Sequence, residues 1–299
     1  MWWRHHQVVP VGVVDVGSNT VRLHVAHEGR PVYGERALLG LGEAVERFGA
    51  IPAPKLDEVG ATVARYVEHA RSHGADDVEV LVTSPGRQAT NGRELLERIE
   101  RSAGVPVRLL SAVDEARLGF AGALAGTRVP AGRRVAVVDV GGGSAQIAVG
   151  TRRDGPTWIR SIDIGSMRLT SRCISSDPPG LEALHATRVE ADRYLDELEP
   201  PEPRVAFAVG GSARSLRRVV QSSRLGPDEL AAAAELLAAT PSAEVARRFE
   251  IDPERARTLP AGAVILAAIA DLLDVRFRIA RGGVREGAAL ELERRREAA

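Results

Sequence analysis

At 299 residues the chain exceeds what one hydrophobic core usually serves, so two domains of ordinary size are expected. Forty basic and forty acidic side chains cancel to a net charge of zero, which gives no support to nucleic-acid coating or a membrane-surface role. Cys173 is the lone cysteine, excluding an intrachain disulfide and a cysteine zinc cluster and making a cytoplasmic protein the simplest reading.

The opening Met1-Trp2-Trp3-Arg4-His5-His6-Gln7 carries no long apolar h-region, and His5 and His6 read as a solvated terminus rather than a metal site. Val8 to Val16 is too short, and too soon interrupted by Pro10 and Asp15, to span a bilayer. Val13-Val14-Asp15-Val16-Gly17 is an apolar run that delivers one aspartate into a Gly/Ser turn, and the same pentapeptide returns 124 positions later as Val137-Val138-Asp139-Val140-Gly141. After the first copy, Val21, Leu23 and Val25 alternate as a strand, and a further extended stretch runs from Val32 to about Leu41, completing a βββ unit. Pro54 opens a helix whose Leu56, Val59, Val63, Tyr66, Val67 and Ala70 keep the 3.6-residue period, and Gly74 ends it.

Val78 to Thr83 reads as a buried strand and Ser84-Pro85-Gly86-Arg87 as a tight connection. Asn91 caps a helix to about Ala103, Val105 to Leu110 is a strand, and Ser111 with Asp114 forms a capping pair for a helix from about Ala112 to Ala125. The polar linker Gly126 to Arg134 divides the chain into domains 1–125 and 126–299. The second opens with its own βββ unit, Val135 to about Ile164, followed by mixed helices, a strand Val205–Val209 and the turn Gly210-Gly211-Ser212. Pro260 to Leu273 predicts a helix buried between layers, Val275 to Ala280 a last strand, and Val284 to about Glu297 a helix that packs back onto the first domain before its charged, solvated end.

The chemistry belongs to the turns. Gly17, Gly141, Gly142 and Gly143 let the backbone approach a ligand, and the hydroxyls of Ser18, Thr20 and Ser144, with Asn19, add donors suited to phosphate oxygens. Asp15 and Asp139 stand where each strand ends, placed to hold Mg²⁺ directly or through water. A single Asp-x-Gly turn is most often a plain β-turn; two equivalent copies favour a phosphate clamp.

This pattern resembles the actin-like ATPase (ribonuclease H-like) superfold, an α/β fold in which duplicated βββαβα domains with mixed sheets close on phosphates. In detail it resembles the exopolyphosphatase/guanosine pentaphosphate phosphohydrolase family in its short, two-domain form. The segments that carry the resemblance are Asp15-Val16-Gly17-Ser18-Asn19-Thr20-Val21-Arg22-Leu23, Thr83 to Asn91, Asp114-Glu115-Ala116-Arg117-Leu118, Asp139 to Ser144, Ile164 to Thr170, Gly210 to Arg214 and Arg285-Glu286-Gly287, in the family's order.

The resemblance implies Mg²⁺-dependent removal of the terminal phosphate from inorganic polyphosphate, with Mn²⁺ as the alternative ion. Glu115 would be the general base, Arg87 the contact to the phosphate being cleaved, and Asp15 and Asp139 the metal holders. The cradle would comprise Gly17, Ser18, Asn19, Thr20, Arg22, Gly141, Gly142, Gly143 and Ser144, with Gly210, Gly211 and Ser212 either along the phosphate path or only capping a helix, and Arg168 near more distant phosphates. Read from the residues alone, Glu115 is equally a helix-start carboxylate, Arg87 a surface ion pair and Arg22 a solvated strand arginine. Where the family commonly has a glutamate, this chain has Gln146, which cannot ionise; lower metal affinity is the expected consequence. Pro85-Gly86 before Arg87 also departs from the family's usual small-residue/valine pair. Guanosine pentaphosphate is the alternative substrate, a polyphosphate or nucleotide sensor the alternative of another class, and a homodimer is left open.

Overall fold

The computed structural model describes residues 9–298; Met1–Gln7, with His5 and His6, lie outside the described residues. Strands β1 (Val11–Val16), β2 (Thr20–His27) and β3 (Arg30–Leu38) make an antiparallel meander. Helices α1 (Leu41–Phe48) and α2 (Ala53–Ser72), strand β4 (Asp77–Val82), helices α3 (Ser84–Gln88) and α4 (Gly92–Ala103), strand β5 (Val107–Leu109) and helix α5 (Ala112–Ala125) complete the first half. The second half repeats the plan with β6 (Val135–Val140), β7 (Ala145–Thr151), β8 (Gly155–Ile162), α6 (Ser166–Cys173), α7 (Gly180–Leu195) and β9 (Val205–Val209). It continues through α8 (Gly210–Val220), β10 (Arg224–Leu225), α9 (Pro227–Ala239), α10 (Ser242–Arg248), α11 (Pro253–Leu273), β11 (Phe277–Ile279) and α12 (Val284–Glu297).

The first sheet runs β3-β2-β1-β4-β5 and the second β10-β11-β9-β6-β7-β8, so apart from β10 the two have the same order, with β1 and β6 in equivalent places. Both central strands are continuous apolar runs because both of their faces are covered. Val14 and Val16 face α2 and α4 through Leu56, Val59, Val63, Leu95 and Ile99, whereas Val138 and Val140 face Leu216, Leu230 and the long apolar α11.

The other faces are closed crosswise. Ala116, Phe120, Ala123 and Leu124 of α5 pack on Val135, Val137, Phe207 and Val209 of the second sheet. Ala288 and Ala289 of α12 pack on Val11, Val13 and Leu81 of the first. Each helix therefore covers the sheet of the other half, and the two touch along small residues. A Cβ on Gly122 would overlap the Gly283 carbonyl, and one on Gly287 the Leu118 carbonyl.

Several local readings change. The extended stretch stops at Leu38, and Leu41 begins α1, because Leu39 and Gly40 both donate their amides to the Asn19 carbonyl and Gly42 donates to Ser18. Gly40 supplies the left-handed backbone at the bend (φ 59°). Ser84–Arg87 is part of a short helix rather than an open turn. Asn91 does not cap α4 with its side chain; its amide exchanges hydrogen bonds with the Ile51 backbone, 2.9 Å in each direction. Ser111 does cap α5, accepting from the Asp114 amide at 3.0 Å. The helix expected from Pro260 starts at Pro253 under an Asp252 cap, with Pro260 inside it; sequence places a proline at a helix start by default, but here the cap lies two turns earlier.

Gly287→Ala is expected to destabilise the protein by about 1–3 kcal/mol through overpacking against Leu118, read as a lower denaturant midpoint at unchanged slope.

Candidate functional site

The two repeated turns close in the same way. Gly17 donates to the Thr20 carbonyl and Gly141 to the Ser144 carbonyl, each at 3.0 Å. The strand register then sets Asp15 opposite Arg22 and Asp139 opposite Gln146, so Arg22 and Gln146 are equivalent positions filled by different chemistry. Between the turns lies a cleft walled by both, by Glu115, and by the starts of α8 and α12. The turns nearly meet: a Cβ on Gly143 would stand 2.6 Å from the Ser18 hydroxyl and 3.2 Å from that of Ser84, which itself shares a 2.6 Å hydrogen bond with Ser18.

Asp15, Gly17, Ser18, Asn19, Thr20, Arg22, Glu115, Asp139, Gly141, Gly142, Ser144, Gly210 and Gly211 all reach the cleft wall. Gly210 has φ +86°, and a Cβ there would collide with the Asp139 carboxylate; the glycine is what lets that aspartate sit beneath α8. The Asn19 side-chain nitrogen is buried with no hydrogen-bond partner, a donor left available to a ligand oxygen.

Other expected contacts lie elsewhere. Ser212 is fully buried and donates its hydroxyl to the Val140 carbonyl at 3.4 Å, so it fastens α8 to β6 instead of lining the phosphate path. Gly143 is a wedge between the lobes. Arg87 stands behind Glu115: one terminal nitrogen donates to its Oε2 at 2.7 Å and the other to the Leu110 carbonyl at 2.8 Å. The Arg168 side chain is not part of the cleft wall and pairs with Glu46 at 3.1 Å, because α6 turns that face toward α1.

Sequence reasoning missed much of the charge. Arg214, Arg255, Arg285 and Glu286 also line the cleft. Arg214 and Arg285 fall within family-like segments, a signal that could have been followed; Arg255 has no local signature and arrives only because Asp252 starts α11 beside the cleft.

The electrostatics are strained in both signs. Burial, then the charges of Arg285 and Arg214, push Arg22 down to about 9. Burial also lowers Arg214, with Arg285 adding to the effect, and lowers Arg255, with Arg214 adding to it. Burial raises Asp15 against the opposing pull of Arg285 and Arg22, and raises Asp139 against that of Arg214. Glu115 is pushed up to about 7 by burial, partly countered by Arg87 and reinforced by Asp139 and Asp15. Such a site favours an anion that brings several negative charges at once, accompanied by a cation for the carboxylates.

Asp15 and Asp139 supply hard carboxylate oxygens. Among the described residues no group of three or more Asp, Glu, His or Cys side chains converges as a metal cage. The donor set therefore fits an ion that takes one or two protein carboxylates and completes its shell with phosphate oxygens and water, which is the habit of Mg²⁺.

The profile of the Ppx/GppA phosphatase family matches residues 20–296. Exopolyphosphatase 1 of Mycobacterium leprae (strain TN) is 31% identical over 301 residues, covering 94% of this chain and 88% of that one. Exopolyphosphatase 1 of Mycobacterium tuberculosis (strain ATCC 25618 / H37Rv) is 34% identical over 229 residues, covering 73% of this chain and 66% of that one. Among solved structures, an exopolyphosphatase from Cytophaga hutchinsonii ATCC 33406 superposes with a TM-score of 0.85 at 20% identity, covering 95% of this chain and 98% of that one. The Aquifex aeolicus member of the Ppx/GppA family superposes with a TM-score of 0.79 at 24% identity, covering 96% and 98%. The shared fold is a duplicated α/β fold of two mixed sheets with the same strand order.

Inorganic phosphate is expected to raise the melting temperature by relieving the arginine cluster, with a stabilisation of about 2.7 kcal/mol at one hundred times its dissociation constant. Arg255→Gln should melt higher than wild type without phosphate and gain less from it, read by calorimetry across a phosphate series.

Proposed function

Because the chain belongs to the Ppx/GppA phosphatase family, we propose that it is an exopolyphosphatase that hydrolyses the terminal phosphoanhydride of inorganic polyphosphate in the interlobe cleft. The observation that carries this reading is Glu115, raised to about 7 and set in one cleft with two phosphate-type turns and the guanidinium groups of Arg22, Arg214, Arg255 and Arg285.

In this reading the turn amides and those arginines hold the last phosphates of the chain. The Oε2 of Glu115 is engaged by Arg87, which leaves Oε1 to accept a proton from water as the water oxygen bonds to the terminal phosphorus. The bridging P–O bond breaks, orthophosphate and the shortened chain leave, and the proton passes from Glu115 to solvent. Arg87 acts as a positioning residue, fixing the carboxylate and favouring its charged form. Asp15 and Asp139 would hold Mg²⁺, which when bound offsets charge on the phosphates and on the departing chain.

Gln146 donates to Ser144 at 2.9 Å and so braces the second turn, a role that requires no ionisation.

With tripolyphosphate and Mg²⁺, wild type should release orthophosphate, and Glu115→Gln should lower kcat by on the order of 10²–10⁴. A general base works only when ionised, so kcat/KM should fall as pH drops through about 7. Arg87 holds the Glu115 pKa down, so in Arg87→Gln the acid limb should move to higher pH. Equal phosphate release from wild type and Glu115→Gln would remove the assigned mechanism, and faster turnover of guanosine pentaphosphate would replace the assigned substrate.

A further inference from the structure

The separation of the two phosphate turns depends on how the lobes are held together, and a continuous set of contacts bypasses the α5–α12 layer to do this. On the first lobe, the start of α1 is bonded to its turn: Gly42 donates to the Ser18 carbonyl at 2.7 Å, and Leu39 and Gly40 donate to Asn19 at 3.1 and 3.3 Å. On the second, the start of α6 is bonded to the other turn: Ser166 donates to the Gly141 carbonyl at 2.9 Å, and Met167 and Arg168 donate to Gly142 at 3.0 and 3.1 Å. Each helix is thus a rigid extension of the turn beside it.

The two extensions are joined by one carboxylate. Glu46 of α1 places Oε2 3.1 Å from Arg168 Nε and Oε1 2.6 Å from Arg172 Nε, both on α6. The side chains of Glu46 and Arg168 keep only 16% and 11% of their exposure, so the pair is withdrawn from water, and Arg172 is held more firmly protonated by its bond to Glu46. Gly42 makes the approach possible, since a Cβ there would overlap Met167. Away from the α5–α12 layer, the ion pair of Arg36 with Asp252 at 3.7 Å and the Gln88–Asp163 hydrogen bond at 2.8 Å each involve a side chain more than half exposed. Exposed contacts of that kind contribute little, whereas losing Glu46 leaves Arg168 only the Asp163 carbonyl and its exposed carboxylate, and leaves Arg172 only the Tyr194 hydroxyl.

We propose that Glu46 is a latch: by pairing with Arg168 and Arg172 it is a positioning residue that holds the two phosphate turns at their working separation before substrate arrives. Breaking the latch lowers the fraction of molecules in the closed, binding-competent state. Substrate that bridges the turns recloses the lobes at the expense of affinity, so the loss falls on KM and not on kcat.

This inference rests on the proposed phosphatase reaction for its kinetic arm, and a second arm is independent of it. In tripolyphosphate hydrolysis with Mg²⁺, Glu46→Gln and Arg168→Gln should each raise KM by about 10-fold while kcat stays within about 2-fold, as a closed fraction reduced about tenfold requires. The double variant should be no worse than either single one, and Glu46→Asp should recover part of the loss. In a Cys173→Ser background, spin labels at Glu68→Cys on α2 and Glu235→Cys on α9, both exposed positions, report the separation of the lobes. Without ligand, Glu46→Gln should broaden this distance toward longer values, and saturating tripolyphosphate should restore it. An unchanged KM with a lower melting temperature, or additive losses in the double variant, would show a merely structural pair and overturn the latch. If wild type releases no phosphate, the reaction is wrong and the distance alone decides: an unchanged distribution in Glu46→Gln overturns the latch, and a broadened one sustains it.

Discussion

Everything in this protein depends on holding two identical backbone turns face to face, the one closed by Gly17 on Thr20 and the other by Gly141 on Ser144. A turn of this kind exposes amides in one direction only, so a single copy makes a shallow anion site. Opposed, the two make a cleft with turn amides on both sides, the geometry on which the proposed phosphate grip rests. The sheets, with the same strand order on each side, exist to deliver Asp15 and Asp139 to the ends of their central strands at matching positions.

The cleft concentrates charge that the folded chain would otherwise avoid. Arg22, Arg214 and Arg255 are lowered, and Asp15, Asp139 and Glu115 raised, by the same cause, withdrawal from water. The two sets offset each other only in part, which is the mark of a site completed by its ligand. Glu115 is held by a 2.7 Å hydrogen bond from Arg87, which also binds the Leu110 carbonyl just before the Glu115 helix, whereas Asp15 has only a looser pairing with Arg285 at 3.9 Å. The Arg87 contact fixes the orientation of the Glu115 carboxylate, whereas among the arginines on the cleft wall Arg285 stands within 3.9 Å of Asp15 and 3.6 Å of Glu286.

Joining two such lobes requires contacts that tolerate like charges between them. Two solutions coexist. In the interior, α5 and α12 cross to cover each other's sheet and meet through glycines, which bring backbone to backbone and leave the halves inseparable. At the edge of the cleft, Glu46 joins α1 to α6. The first is apolar and lies behind the cleft; the second is ionic and adjacent to the turns.

The fold and the cradle were legible because they are local: a repeated pentapeptide, alternating strands, a Ser111 cap and glycine-bearing turns all write their geometry into neighbouring residues. The same locality explains the errors. Arg168 reads as a phosphate contact until α1, which follows the extended stretch and is not among the elements expected from the sequence, places Glu46 beside it. Ser212 follows a glycine pair as a cradle residue would, yet it faces β6. Arg255 is invisible in its own segment and belongs to the site only because Asp252 starts a helix there. Sequence by itself determined which backbone turns are built and which aspartates they carry, since hydrogen bonds between residues a few positions apart decide those. Only the tertiary structure decided which arginines meet in the cleft, and that Arg87 serves Glu115, because those pairings join segments tens to hundreds of residues apart whose approach is set by how the two sheets pack.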